Sequence, residues 1–189
     1  MTDYTIAAIP TLYNGRQYRS RLEAKWAAFF DLLGWPHEYE PFDLGKWSPD
    51  FRILSQEGVS ALVEVKPIDQ EDEAVTQRMT EAANAAGFTG PLLLLGNCPD
   101  FSREIPEIGW MPHRGLCWGS AMLVWIIDPY APRFAADILE FSDDPTLWGG
   151  IFTRATGSIV SATELYGYRE HSSLLWARAC NAVQWRPEE

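Results

Sequence analysis

The chain has 189 residues, 47% hydrophobic and 13% aromatic, which is enough apolar side chain to bury a sizeable core, so one domain over residues 1–189 is expected. No segment approaches about 18 consecutive apolar residues, and the N-terminus, interrupted by Asp3 and Pro10, lacks the basic start and apolar run of a signal peptide, so a cytoplasmic protein is expected. The formal net charge of -11 argues against a broad basic face for nucleic acid, but it is uneven: residues 1–66 hold seven Lys/Arg against nine Asp/Glu, residues 67–189 eight against seventeen.

In chain order, Arg16, Arg19, Arg21 and Lys25 form a local basic patch on this acidic protein. Ser20 and Glu23 have the S-x-x-E spacing of a capping box, and Leu22, Trp26, Phe29, Phe30 and Leu33 recur at helical spacing until Gly34. This predicts an amphipathic helix of about four turns. A strand over His37 to Leu44, closed by Gly45, and a loop through Lys46-Trp47-Ser48 follow.

Pro49 to Leu54 and Val59 to Pro67 read as a hairpin joined by Ser55-Gln56-Glu57-Gly58, with Gly58 at the left-handed position of a three-residue loop. That loop fixes the register: Phe51 faces Val63, Ile53 faces Ala61, and Asp50 faces Glu64. Side chains alternate along a strand, so Lys66 shares the face of Glu64 while Val63 and Val65 point into the core. Glu71 to Ala86 is helical with Gly87 as its stop, and Pro91 to Gly96 is the short apolar run of a buried strand. The order is helix, three strands, helix, strand, an α/β (α+β) fold with a mixed sheet and a parallel pairing after the crossover helix.

Beyond this core, Gly115 to Asp128 and Phe134 to Phe141 read as strands separated by Asp128-Pro129-Tyr130-Ala131-Pro132. Ser161 to Gln184 reads as a C-terminal helix capped by Ser161 or Thr163 and weakened by Gly167. Cys98, Cys117 and Cys180 are odd in number and far apart, which suits free thiols; with His113 they imitate a zinc set only loosely, because no C-x-x-C pair is present.

Two opposed carboxylates with a lysine are what metal-assisted phosphodiester cleavage needs. Asp50 and Glu64 supply hard oxygen ligands for Mg²⁺ or Mn²⁺, the Val65 carbonyl completes the shell, and Lys66 orients the attacking water or offsets phosphate charge. The competing reading is an exposed cross-strand charge cluster at a sheet edge. Glu23 has two roles open to it, capping its own helix or joining the carboxylates. Arg16, Arg19 and Lys25 suit phosphate contacts or a solvated helix face. Trp47 suits stacking on a base or burial in its loop.

Arg19-Ser20-Arg21-Leu22-Glu23, Tyr39-Glu40-Pro41, Pro49-Asp50-Phe51 and Glu64-Val65-Lys66, with the helix and apolar strand after them, resemble the PD-(D/E)XK nuclease superfamily over roughly residues 15–96. The resemblance, closest to small phage and bacterial members, implies a restriction-endonuclease-like core with residues 97–189 as a β/α extension. It also implies catalytic and metal-binding roles for Asp50, Glu64 and Glu23, catalysis by Lys66, and a polar site residue at Gln77, a position that an exposed helical glutamine fills more readily. A Mg²⁺- or Mn²⁺-dependent nuclease acting on DNA in a bacterial or phage-infected cell is the expected function. The rival is a catalytically silent nuclease-fold module that engages a protein partner through the Trp-rich acidic second half. Wide separation of Asp50 and Glu64 would mark the motif as coincidence.

Overall fold

The computed structural model describes residues 8–54, 60–103, 106–113, 117–126, 133–137 and 168–184. The first element is a hairpin that sequence reading missed: β1 (Thr11–Tyr13) pairs antiparallel with β2 (Arg16–Tyr18). Asn14 and Gly15 both take positive φ at its turn, the conformation for which Asn-Gly is suited.

Helix α1 (Arg21–Leu33) matches expectation at both ends. The Ser20 hydroxyl accepts the Glu23 N–H at 3.1 Å, and Gly34 closes the helix in the left-handed region at φ 72°. Trp26, Ala27, Ala28, Phe29 and Phe30 are all buried, because α1 lies between the sheet and the C-terminal helix. Trp176 from that helix, α3 (Tyr168–Ala182), stands 4.7 Å from Trp26 and edge-on to Phe29 at 5.3 Å between ring centroids.

Among the described residues the main sheet has seven strands in the order β3-β4-β5-β6-β7-β8-β9. β3 (His37–Tyr39) is shorter than expected, because Glu40 turns to φ 47° and Pro41 follows with no N–H to give. β4 (Phe51–Leu54) and β5 (Ser60–Val65) pair antiparallel in the expected register, Phe51 with Val63 and Ile53 with Ala61. The connecting loop with Gly58 lies outside the described residues.

β5 leads through α2 (Glu73–Ala85) to β6 (Leu92–Asp100), which lies parallel to it with Leu62 beside Leu92 and Val65 beside Leu95. The cap of α2 is Asp72, whose side chain accepts the N–H groups of Ala74 and Val75, so the helix starts later than Glu71. Phe51, Ile53, Ala61 and Val63 face α1, while Leu62 and Leu94 face α2 with Met79, Ala82 and Ala83. Both faces of β5 are therefore covered, as expected of a strand with a parallel neighbour. The face of Glu64, read from sequence as polar, is a buried one.

An antiparallel meander extends this sheet: β7 (Glu107–His113), β8 (Cys117–Ile126) and β9 (Arg133–Asp137). β8 falls within its expected segment, β9 begins at Arg133, one residue ahead of the expected Phe134, and β7 was missed. Gly109 belongs there because a Cβ would stand 2.1 Å from the Leu94 carbonyl oxygen. The segments Asp128–Pro132 and Ser161–Gly167, with the proposed caps Ser161 and Thr163, lie outside the described residues. Among the described residues no helix is long and apolar enough to cross a membrane.

Candidate active site

Asp50 stands just before β4, and the chain leading to it is pinned where the Glu40 N–H reaches the Asp50 carbonyl at 2.8 Å. Its side chain is 2% exposed. One oxygen, Oδ2, accepts the Val65 backbone N–H at 2.8 Å, and the other is held by the Arg19 guanidinium. Two buried carboxylates thus sit close together, Asp50 at the entry to β4 and Glu64, 3% exposed, beside Val65 on the neighbouring β5.

Glu64 is held at both oxygens. Oε2 accepts the indole N–H of Trp47 at 2.6 Å, while Oε1 meets the Lys66 ammonium at 2.5 Å and the Arg78 guanidinium at 3.7 Å. The Asp50 carboxyl is pushed up to about 7, first by burial and next by the charge of Glu64, with Glu23 adding to the rise; the Val65 N–H and Lys66 pull the other way. A group that shares a proton near neutral pH and is opposed by a second carboxylate invites a cation.

Glu23 is buried and tied to its surroundings. The Ser20 hydroxyl donates to Oε1 at 2.8 Å and the Tyr39 hydroxyl to Oε2 at 2.5 Å. Burial and this bond both raise the Tyr39 phenol. Arg19 links the three acids, with Nε 2.9 Å from Glu40 and 3.9 Å from Glu23 and its terminal nitrogen on Asp50. Burial works against its charge, and the contacts with Tyr39, Asp50 and Glu23 outweigh that and hold it protonated.

The structure therefore gathers Asp50, Glu64, Val65, Lys66 and Arg19, and joins Glu23 to them through Arg19. Trp47 and Gln77 each take the structural one of the two readings open to them, against a nucleic-acid contact for Trp47. Trp47 is 4% exposed and offers no open ring face to a base; its N–H goes to Glu64 instead. Gln77 is exposed on α2 and bonds Glu81 one turn on at 2.9 Å, as an ordinary exposed helical glutamine would. Lys25 acts on the thiols of Cys98 and Cys180, which burial raises and Lys25 lowers, and Arg16 is exposed on β2. Arg78 and Tyr39 were missed. Tyr39 lay in the quoted Tyr39-Glu40-Pro41 segment, whereas nothing in the local pattern singles out Arg78 on the α2 surface.

Among the described residues no group of three His, Cys, Asp or Glu side chains is spaced to hold a metal ion. Glu23, expected as the third carboxylate, is not brought into a ligand cluster, because Ser20 and Tyr39 hold its two oxygens. The donors at Asp50 and Glu64 still suit one hard divalent cation: both are oxygen ligands, both are buried, and their mutual repulsion is relieved by positive charge. In an extended strand the N–H and C=O of one residue point to the same side, so the Val65 carbonyl is directed where its N–H meets Asp50. Cys98 and Cys180 are free thiols; the side chains of His113 and Cys117 are not among those described.

The chain matches no family model, no curated protein and no solved structure.

Proposed function

We propose that the chain is a Mg²⁺- or Mn²⁺-dependent nuclease that hydrolyses phosphodiester bonds of DNA from a restriction-endonuclease-like core of the PD-(D/E)XK kind. The observation that carries this reading is that buried Asp50, bonded to the Val65 N–H, and buried Glu64 stand together at the end of the β4–β5 ladder with the Lys66 ammonium on Glu64. Asp50, Glu64 and the Val65 carbonyl would hold the metal ion. When bound, it activates water and steadies the charge that develops on the phosphate.

The remaining work falls to the chain's own cations. Lys66 is about one-third exposed and reaches the phosphate as a mobile donor once it leaves Glu64. Arg19, 58% exposed, offers a planar fork suited to a phosphate that displaces it from Asp50, and Arg78 on α2 adds a third positive group at the Glu64 end. The open depression of about 740 Å³ over the segment between β5 and α2 is lined by Asp69, Glu71, Asp72 and Glu73, which repel a nucleic acid backbone. The substrate strand therefore approaches from the Arg19 side, with few phosphate contacts.

A second reading, a catalytically silent nuclease-fold module that binds a protein partner, has its own support in the Arg19–Asp50 pair, which neutralises Asp50 without any metal. The deciding experiment is cleavage of labelled duplex, single-stranded and branched DNA and RNA with Mg²⁺ or Mn²⁺ by wild type, Asp50→Ala and Lys66→Ala. Loss of cutting in both folded variants supports the nuclease. No cutting by wild type and no calorimetric metal binding support the module.

A further inference from the structure

Glu64 meets two kinds of partner. On Oε1 are Lys66 and Arg78, long side chains with exposed ends that can follow the carboxylate wherever it turns. On Oε2 is the indole of Trp47, a donor with no acceptor capacity, at 2.6 Å and buried together with its partner. The ring packs among Leu62, Met79, Ala82, Leu92 and Leu94, between the sheet and α2, and has no room to follow.

The loop that delivers Trp47 is itself fixed. The Leu44 N–H donates to the Trp47 carbonyl at 2.9 Å, Gly45 turns at φ 82°, and the Asp43 side chain accepts the Gly45 N–H at 2.7 Å. The terminal torsion of a glutamate is broad and roughly two-fold when free. Here a rigid donor holds one oxygen inward and leaves the other turned to the cations.

We infer that Trp47 is a positioning residue for Glu64: its indole N–H holds Oε2 so that Oε1 faces Lys66 and the position of the metal ion. The inference rests on the nuclease reading, in which Glu64 is a ligand. Partners that orient a metal-ligating group contribute about 10–100-fold to metal affinity or activity. Phenylalanine keeps the ring and its burial but has no donor, and leaves Oε2 unpaired in an apolar setting.

The test is calorimetric Mn²⁺ binding to full-length wild type, Trp47→Phe and Glu64→Gln, combined with ¹⁵N spectra of the indole groups. The expected result is Mn²⁺ binding weakened by about 10–100-fold in Trp47→Phe, with thermal unfolding still cooperative and kcat on DNA reduced more than KM is raised. In wild type, the Trp47 indole signal, identified by its loss in Trp47→Phe or by sequential assignment, shifts on Glu64→Gln and broadens with Mn²⁺. Wild-type Mn²⁺ affinity in Trp47→Phe, alongside its loss in Glu64→Gln, overturns the inference and leaves the metal site standing. No Mn²⁺ binding by wild type overturns both. Should Trp47→Phe fail to fold, the wild-type signal decides: movement with Glu64→Gln and Mn²⁺ supports the inference, and an unmoved signal overturns it.

Discussion

The guanidinium of Arg19 lies on one oxygen of Asp50 while the Val65 N–H holds the other, so a carboxylate taken almost wholly out of water keeps both oxygens paired. Arg19 itself stays more than half exposed. The pair is thus a buried acid held by a half-exposed cation that a phosphate can draw away and a metal ion can displace.

Burial and the charge of Glu64, which outweigh the Val65 N–H and Lys66 at Asp50, set a pH dependence of stability. In the unfolded chain Asp50 titrates near its ordinary value of 3.8, and in the fold near 7, so between these limits the native state holds a proton that the unfolded state has lost. The contribution is fully present below about pH 3.8 and disappears as pH rises through 7, a change of roughly 2–4 kcal/mol. Asp50→Asn, which cannot ionise, should gain stability relative to wild type between pH 5 and pH 8. Urea unfolding of both proteins at the two pH values measures this, and parallel behaviour would refute it.

Metal binding should run in the opposite direction. A cation at Asp50 needs the ionised form, so Mn²⁺ affinity in wild type should rise about fivefold between pH 6 and pH 7, about tenfold by pH 8, and level off above that. Calorimetry across this range reads it. A flat profile would remove Asp50 from the ligand set.

Lys66→Met should leave the fold intact, because the ammonium is at the surface end of β5, and should lower kcat for DNA cleavage by about 100-fold or more. Single-turnover cleavage under saturating Mg²⁺ is the measurement. Activity within a few-fold of wild type would show that Lys66 only balances the charge of Glu64.

Glu23 is bound on both oxygens inside its own helix start, and Glu23→Gln or Tyr39→Phe should each cost about 1–3 kcal/mol of stability by leaving a buried polar atom unpaired. Mn²⁺ affinity should hardly change in either. A loss of affinity in Glu23→Gln comparable with that of Asp50→Asn would restore Glu23 as a ligand.

Gly96→Ala tests the packing behind the site. A Cβ there would stand 2.5 Å from the Ile68 carbonyl oxygen, and the Gly96 carbonyl accepts the Trp26 indole N–H at 2.9 Å, so any shift passes directly to α1. Thermal or urea unfolding should show a loss of about 1–3 kcal/mol. An unchanged midpoint would mean that the turn after Lys66 yields easily.

Local signals carried the elements that repeat themselves along the chain. The helix from Ser20 to Gly34 was legible because its cap, apolar spacing and left-handed stop each lie within a few residues. The hairpin register was legible because a one-residue slip would turn Phe51, Ile53, Ala61 and Val63 out of the core. The β1–β2 hairpin carried a readable Asn14-Gly15 signal that was passed over, and β7 was obscured by Gly109 and Pro112, residues that ordinarily break a strand.

The sequence by itself determined the register of Phe51 with Val63 and Ile53 with Ala61, and with it the nearness of Asp50, Glu64 and Lys66, because alternation puts the apolar residues of both strands on one face. It could not tell that α2 buries the opposite face, that Trp47 turns inward to Glu64, that Arg19 folds onto Asp50, or that Arg78 arrives from α2. Those relationships join segments 14 to 31 positions apart, and each depends on how helices and loops rotate over the sheet. Burial then decides the chemistry: the same carboxylates in water would be ordinary acids, and only the covering layers make their charge costly enough to call for a cation.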